Sequence, residues 1–150
     1  MSSDLILIGP IRSGKSTQGK LLAEKLGVPP CSMDDHRWGY YDEIGYDKEF
    51  ADKLKTKVGF WALYMYWKEF ECYAVERLLS EHSNCVIDFG GGHSIYEIDS
   101  HFARVKKALQ PYENVVLILP SPDKDECVQI LCERMGLEAP DDFDVNEHFV

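Results

Sequence analysis

Basic residues are scarce in this chain and long apolar runs are missing. Lysine and arginine number 16 against 26 aspartates and glutamates, a formal net charge of −10. Such an acidic surface repels a phosphate backbone at long range and carries no basic stripe, which argues against nucleic acid as a partner. No stretch reaches the roughly 20 apolar residues that cross a bilayer, so no membrane role is expected. The opening residues lack the charged and apolar regions of a secretory signal. Cys31, Cys72, Cys85, Cys127 and Cys132 form no C-x-x-C pair and no zinc spacing. His82, His93, His101 and His148 are scattered, again without metal-ligand spacing. A reduced, cytoplasmic setting is therefore the expectation. No internal repeat or low-complexity segment is visible.

What is present is local and specific. Gly9-Pro10-Ile11-Arg12-Ser13-Gly14-Lys15-Ser16 fits G-x-x-x-x-G-K-[ST], the phosphate-binding P-loop. Leu5-Ile6-Leu7-Ile8 before it reads as a short buried strand. Lys15 to Leu26 reads as a helix with Leu21, Leu22 and Leu26 on or near one face, stopped by Gly27. Strand, glycine loop and helix are the context the motif requires. Backbone N–H groups from Ile11 to Thr17 would cradle phosphates, helped by the helix dipole. The nucleotide site is expected to comprise Gly9, Ile11, Arg12, Ser13, Gly14, Lys15, Ser16 and Thr17. Lys15 supplies charge to the β- and γ-phosphates and Ser16 a hydroxyl to the metal, so ATP and Mg²⁺ are the implied cofactors. Arg12 faces either phosphate or solvent.

The remaining pattern alternates strands and helices. Val28 to Met33 is a weak second strand, and Asp34 to Asp47 a loop or short helix. Lys48 to Ser80 is helical with a break near Gly59, and its stretch from Phe60 to Trp67 is apolar nearly all round, as core or lid packing would be. Asn84 to Phe89 is a strand followed by Gly90-Gly91-Gly92. Ile98 to Gln110 is a helix, and Asn114 to Leu119 a central strand buried on both sides. Ser121 caps the last helix with Pro122 at its first position, and Gly136 ends it. The expected fold is α/β, a mostly parallel sheet with helices on both faces. Residues 1–136 form one domain and 137–150 an acidic tail. Val86-Ile87-Asp88 has the form of a Walker B element, whose carboxylate reaches Mg²⁺.

In order and spacing these pieces resemble the small P-loop kinases, shikimate kinase most closely. That family has a P-loop, an acidic pair after Leu-Gly-x-Pro, an F-R-x-x-E helix and a strand ending in three glycines. The matching stretches are Leu26-Gly27-Val28-Pro29, Trp67-Lys68-Glu69-Phe70-Glu71 and Gly90-Gly91-Gly92, over residues 4 to about 135. The resemblance implies a three-layer P-loop fold and phosphoryl transfer from ATP to a hydroxyl of a small molecule. It implies that Asp34 orients the acceptor and takes its proton, with Lys68, Gly90, Gly91 and Gly92 on the substrate side.

The departures are specific. Ser32 stands where the family has its metal-side carboxylate, for which Asp88 is the substitute. Lys68 replaces a substrate arginine and cannot make a planar bidentate pair; it is either a substrate ligand or a solvated helix residue. The lid arginines are missing, and Arg134 reads as a last-turn cation favourable to its helix dipole. The family's last strand is missing as well, which implies a truncated or shortened chain and an open sheet edge. A second copy, forming a homodimer, or the acidic tail would cover that edge. His36, Arg37 and Trp38 are placed to shape an acceptor pocket. The alternative to a kinase is a nucleotide-binding regulatory or interaction module with little catalysis.

Overall fold

The computed structural model describes residues 4–136; the expected acidic tail, 137–150, lies outside them. In chain order the elements are β1 (Leu5–Ile8), α1 (Lys15–Leu26), β2 (Pro30–Ser32), α2 (Met33–Glu43), α3 (Lys48–Lys57) and α4 (Phe60–Glu81). There follow β3 (Val86–Asp88), a 3-10 turn (Gly92–Ser94), α5 (Asp99–Leu109), β4 (Val115–Leu117) and α6 (Lys124–Met135). The four strands form one parallel sheet in the order β2-β3-β1-β4.

Alternation along the strands assigns the two faces. Ile6, Ile87 and Cys31 share the face that packs on Tyr40, Tyr41, Phe70, Val75 and Leu78 of α2 and α4. Leu7 and Val86 face the other way, onto Ala23 of α1. The buried line of α1 is Lys15, Gly19 and Ala23. Of the expected face, Leu22 packs beside Ala23 while Leu21 and Leu26 are exposed. The helix lies so close to the sheet that a residue at position 19 would place its Cβ 3.5 Å from Asp88 Oδ2 and 3.6 Å from Leu7 Cδ1. Gly19 and Ala23 are small for that reason.

The segment after β2 folds as helix from Met33, which shortens the expected second strand to three residues. The break between α3 and α4 falls at Gly59, whose φ of 129° is readily available only to glycine. The apolar stretch at the start of α4 is only partly covered: Leu63 is buried, while Phe60 and Trp61 are exposed. Asp123, not Ser121, caps α6, accepting from Glu126 N at 2.9 Å. Ser121 Oγ instead accepts from Asp123 N and donates to the Glu126 carboxylate at 2.6 Å. β4 also departs from expectation. Among the described residues it is one of the sheet's two edges, not its centre, with Val116 41% and Leu117 56% exposed. Its apolar run records two apolar faces but not what covers them.

Candidate active site

The site begins where β1 turns into α1. At Gly9, φ is 147° and a Cβ would collide with the Ile118 carbonyl of the neighbouring chain segment, so the loop can leave the sheet here only through glycine. Gly9 N donates to Ser94 Oγ at 3.1 Å. Arg12 holds a left-handed backbone, φ 63°, and its side chain is exposed. Gly14 precedes α1 with φ 101° and no side chain caps the helix. The first-turn N–H groups of α1 therefore lack the side-chain acceptor that closes most helix starts, the arrangement that receives an anion.

Lys15 is buried, with Nζ 2.6 Å from the Pro10 carbonyl and 3.4 Å from Ser13 Oγ. Burial brings its ammonium down to about 8, against the opposing fields of Asp88 and Asp34. Ser16 Oγ donates to Asp88 Oδ1 at 2.9 Å, and Ser32 Oγ donates to the same oxygen at 3.0 Å. The register explains the meeting: Ser32 and Asp88 are partners in adjacent strands and so face the same side, toward α1. Burial pushes the Asp88 carboxyl up, while the two hydroxyls and Lys15 pull it back. A carboxylate and a hydroxyl at the foot of a phosphate loop are hard oxygen donors, which fits Mg²⁺.

Asp34 lies in the first turn of α2, exposed, with Arg37 Nη1 3.7 Å from its Oδ1. Its field reaches both Lys15 and Asp88. The three residues expected to act together are thus brought together from three separate elements. Arg37 was grouped in the sequence only with a pocket wall. It stacks on Trp38 at 4.7 Å, and its buried Nε has no hydrogen-bond partner among the described residues. Nothing in its spacing distinguished it from a surface arginine.

The triglycine does a different job from the one expected of it alone. A Cβ at Gly91 would sit 2.7 Å from Ile11 N, one at Gly90 2.5 Å from His93 Nδ1, and one at Gly92 inside the Glu71 carboxylate. The close approach that glycine permits is made here by the protein's own P-loop, histidine and glutamate. Lys68 is not solvated: its exposure is 0%. Its ammonium donates to Gly92 O at 2.8 Å and Ile95 O at 2.9 Å and pairs with Glu71 Oε2 at 2.7 Å, with the Tyr64 ring 4.3 Å away. All three hydrogens are engaged inside the protein, so Lys68 fastens the loop after β3 to α4. Beside it, His93 is buried against Tyr41, 3.0 Å from Nε2 to the hydroxyl, and desolvation holds it neutral down to about 3. His36, expected near the acceptor, lies with its ring 4.7 Å from that of His82, tilted by 54°. Arg134 is a last-turn residue, as expected, and it also donates to the Arg12 carbonyl at 2.9 Å.

No family model matches the chain, and no curated protein is similar to it at a significant level. Solved structures do match. Shikimate kinase from Acinetobacter baumannii, in complex with shikimate, aligns with TM-score 0.56 and 23% identity over 88% of this chain and 61% of that one. Shikimate kinase from Bacteroides thetaiotaomicron aligns with TM-score 0.54 and 22% identity over 98% and 73%. The chain thus spans about three fifths of the first of these enzymes. Among the described residues no helix is long and apolar enough to cross a membrane. A parallel sheet in this order, a P-loop after its first strand and these alignments together give the chain the α/β P-loop fold of the shikimate kinases.

Proposed function

We propose that this protein transfers the γ-phosphate of ATP to a hydroxyl of a small molecule. The observation that carries the reading is the convergence of Ser16, Ser32 and Asp88 at the foot of an uncapped P-loop helix, within the field of Asp34 and Lys15. The amides from Ile11 to Thr17 bind the phosphates. Lys15 leaves Pro10 O to hold charge that develops between the β- and γ-phosphorus. Ser16 and Asp88 would hold Mg²⁺, which when bound neutralises phosphate charge. Ser32, in the place of the family's metal-side carboxylate, orients the Asp88 oxygen instead.

Asp34 accepts the acceptor hydroxyl's proton as its oxygen bonds the γ-phosphorus and the bond to the β-phosphate bridge breaks, releasing ADP. Positioning and charge account for most of such catalysis. On the acceptor side, Arg37 is the cation beside Asp34, and an anionic acceptor would meet the exposed part of its guanidinium. The Acinetobacter enzyme is described with shikimate bound; hydroxylated small acids are therefore the first acceptors to try. The open edge at β4 supports the further expectation of a cover there, a second copy or the chain's own tail.

ADP release, followed with Mg²⁺-ATP and a panel of hydroxylated metabolites, tests the proposal. Acceptor-stimulated release that disappears in Asp34→Asn is the expected result. Tight ATP binding without stimulation by any acceptor would assign the protein to the regulatory alternative.

A further inference from the structure

On the face of β2 that looks away from α1, the fold assembles a group that the sequence spacing does not announce. Cys31 of β2, His36 of α2 and His82, which caps the C-terminus of α4, bring one sulfur and two imidazole nitrogens within 4.8 Å of one another. Among the described residues they are the one set of three cysteine, histidine or carboxylate side chains that converges in this way. Cys31 is buried and the histidines are half-buried, so the sulfur anchors the group from inside and the rings close it from outside. A second observation points to a ligand. His82 Nε2 is buried yet has no hydrogen-bond partner among the described residues, and the Glu81 carboxylate stands off at 3.9 Å. A buried polar atom left in that condition calls for an explanation.

We propose that Cys31, His36 and His82 bind a divalent transition metal, zinc in the first instance, through one thiolate and two imidazoles, with a fourth position left for water. Thiolate with imidazole selects such ions over Mg²⁺, which prefers oxygen. Tetrahedral zinc with Zn–S about 2.3 Å and Zn–N about 2.0–2.1 Å holds its ligand atoms roughly 3.3–3.6 Å apart. The group closes to that spacing by side-chain shifts of about an ångström, within the reach of two half-exposed rings. On binding, the Cys31 S–H proton leaves to solvent as the sulfur bonds the metal, and each histidine gives the lone pair of an unprotonated nitrogen. The ion joins β2, α2 and the end of α4. Cys31 adjoins Ser32 on its strand, and His36 lies two residues beyond Asp34 on its helix, so a loaded site fixes both. That last consequence rests on the proposed kinase reading; the metal site itself does not, because its ligands lie on the opposite face of β2 from Ser32 and Asp88.

Cobalt titration of the chelator-treated full chain tests the site. The expected result is one equivalent bound with a thiolate-to-cobalt charge-transfer band in the near ultraviolet and visible bands of tetrahedral intensity. Zinc displaces it and excess Mg²⁺ does not. His36→Gln and His82→Gln should each weaken binding beyond the roughly 10–100-fold that losing an outer-shell partner costs, and Cys31→Ser should remove the charge-transfer band. Should Cys31→Ser fail to fold by circular dichroism, the two histidine variants decide the matter, since their side chains are half-exposed. Absence of the charge-transfer band, its persistence in a folded Cys31→Ser, displacement by Mg²⁺, or unchanged affinity in both histidine variants would overturn the proposal. None of these readouts involves nucleotide, so they fail or succeed separately from the kinase assay.

Discussion

Lys15 and Lys68 are both buried, in regions that adjoin through the glycines after β3, yet their surroundings differ in kind. Lys68 has a carboxylate at 2.7 Å, two carbonyls and an aromatic face. Lys15 has one carbonyl and a long contact to Ser13, and among the described residues it forms no ion pair. A charge fully satisfied inside the protein holds structure. A charge buried with partial satisfaction is held ready for a ligand that brings the missing negative charge. The difference teaches which lysine to assign to chemistry, and motif position in the sequence had left both as candidates.

The largest expected effect falls on the structural side. Lys68→Met strands the Glu71 carboxylate in the core and should reduce stability by about 3–5 kcal/mol in chemical denaturation. Adding Glu71→Leu should recover much of that loss; no recovery would mean that the pair is not the reason for the burial. Lys15→Met should leave the denaturation midpoint nearly unchanged while weakening ATP binding by calorimetry about 100-fold or more, the scale of a lost charge-assisted contact. Equal stability losses in the two variants would erase the distinction drawn here. Asp88→Asn keeps the shape but not the charge. It should lower Mg²⁺-dependent turnover roughly 100-fold while metal-free nucleotide binding changes little, on the scale of a removed electrostatic stabiliser.

A pH series separates the lysines again. The free protein's Lys15 ammonium titrates at about 8, below its ordinary value. Anionic phosphate selects the protonated form, so affinity is steady below that point. Above it, binding should weaken by about tenfold per pH unit until the bound form also loses its proton. Calorimetric affinities one unit below and one unit above should show this, and Lys15→Met should flatten the profile. Ser32→Ala should have the smallest effect, about 0.5–1.5 kcal/mol, read as a roughly 2- to 13-fold loss of turnover.

Much of this site was legible because the P-loop is contiguous: β1, the loop and α1 fall where the residues placed them, and Asp88 ends its strand as the Walker pattern requires. Long-range features were not legible. Lys68 reads equally as a substrate ligand or a solvated helix residue, and only the return of the loop after β3 over α4 buries it. α2 carries Gly39 and lacks a clear apolar period, so its helical state depends on Tyr40 and Tyr41 packing into the core. Leu21 and Leu26 of the expected α1 face stay exposed, because leucine content says nothing of how closely a helix approaches its sheet. Cys31, His36 and His82 meet across 51 positions of chain, and no local spacing rule spans that.

The contact between Arg134 and the Arg12 carbonyl joins points 122 residues apart. A trans peptide sets its C=O and N–H on opposite sides. An outward tether on the carbonyl of Arg12 therefore aims the N–H of Ser13 inward, where it meets Pro10 O at 3.3 Å. In this way α6 acts as a rein on the Ser13 amide of the loop between β1 and α1. Whatever shifts that helix shifts the loop from outside, and on the proposed reading it retunes the grip on a nucleotide without ever touching it.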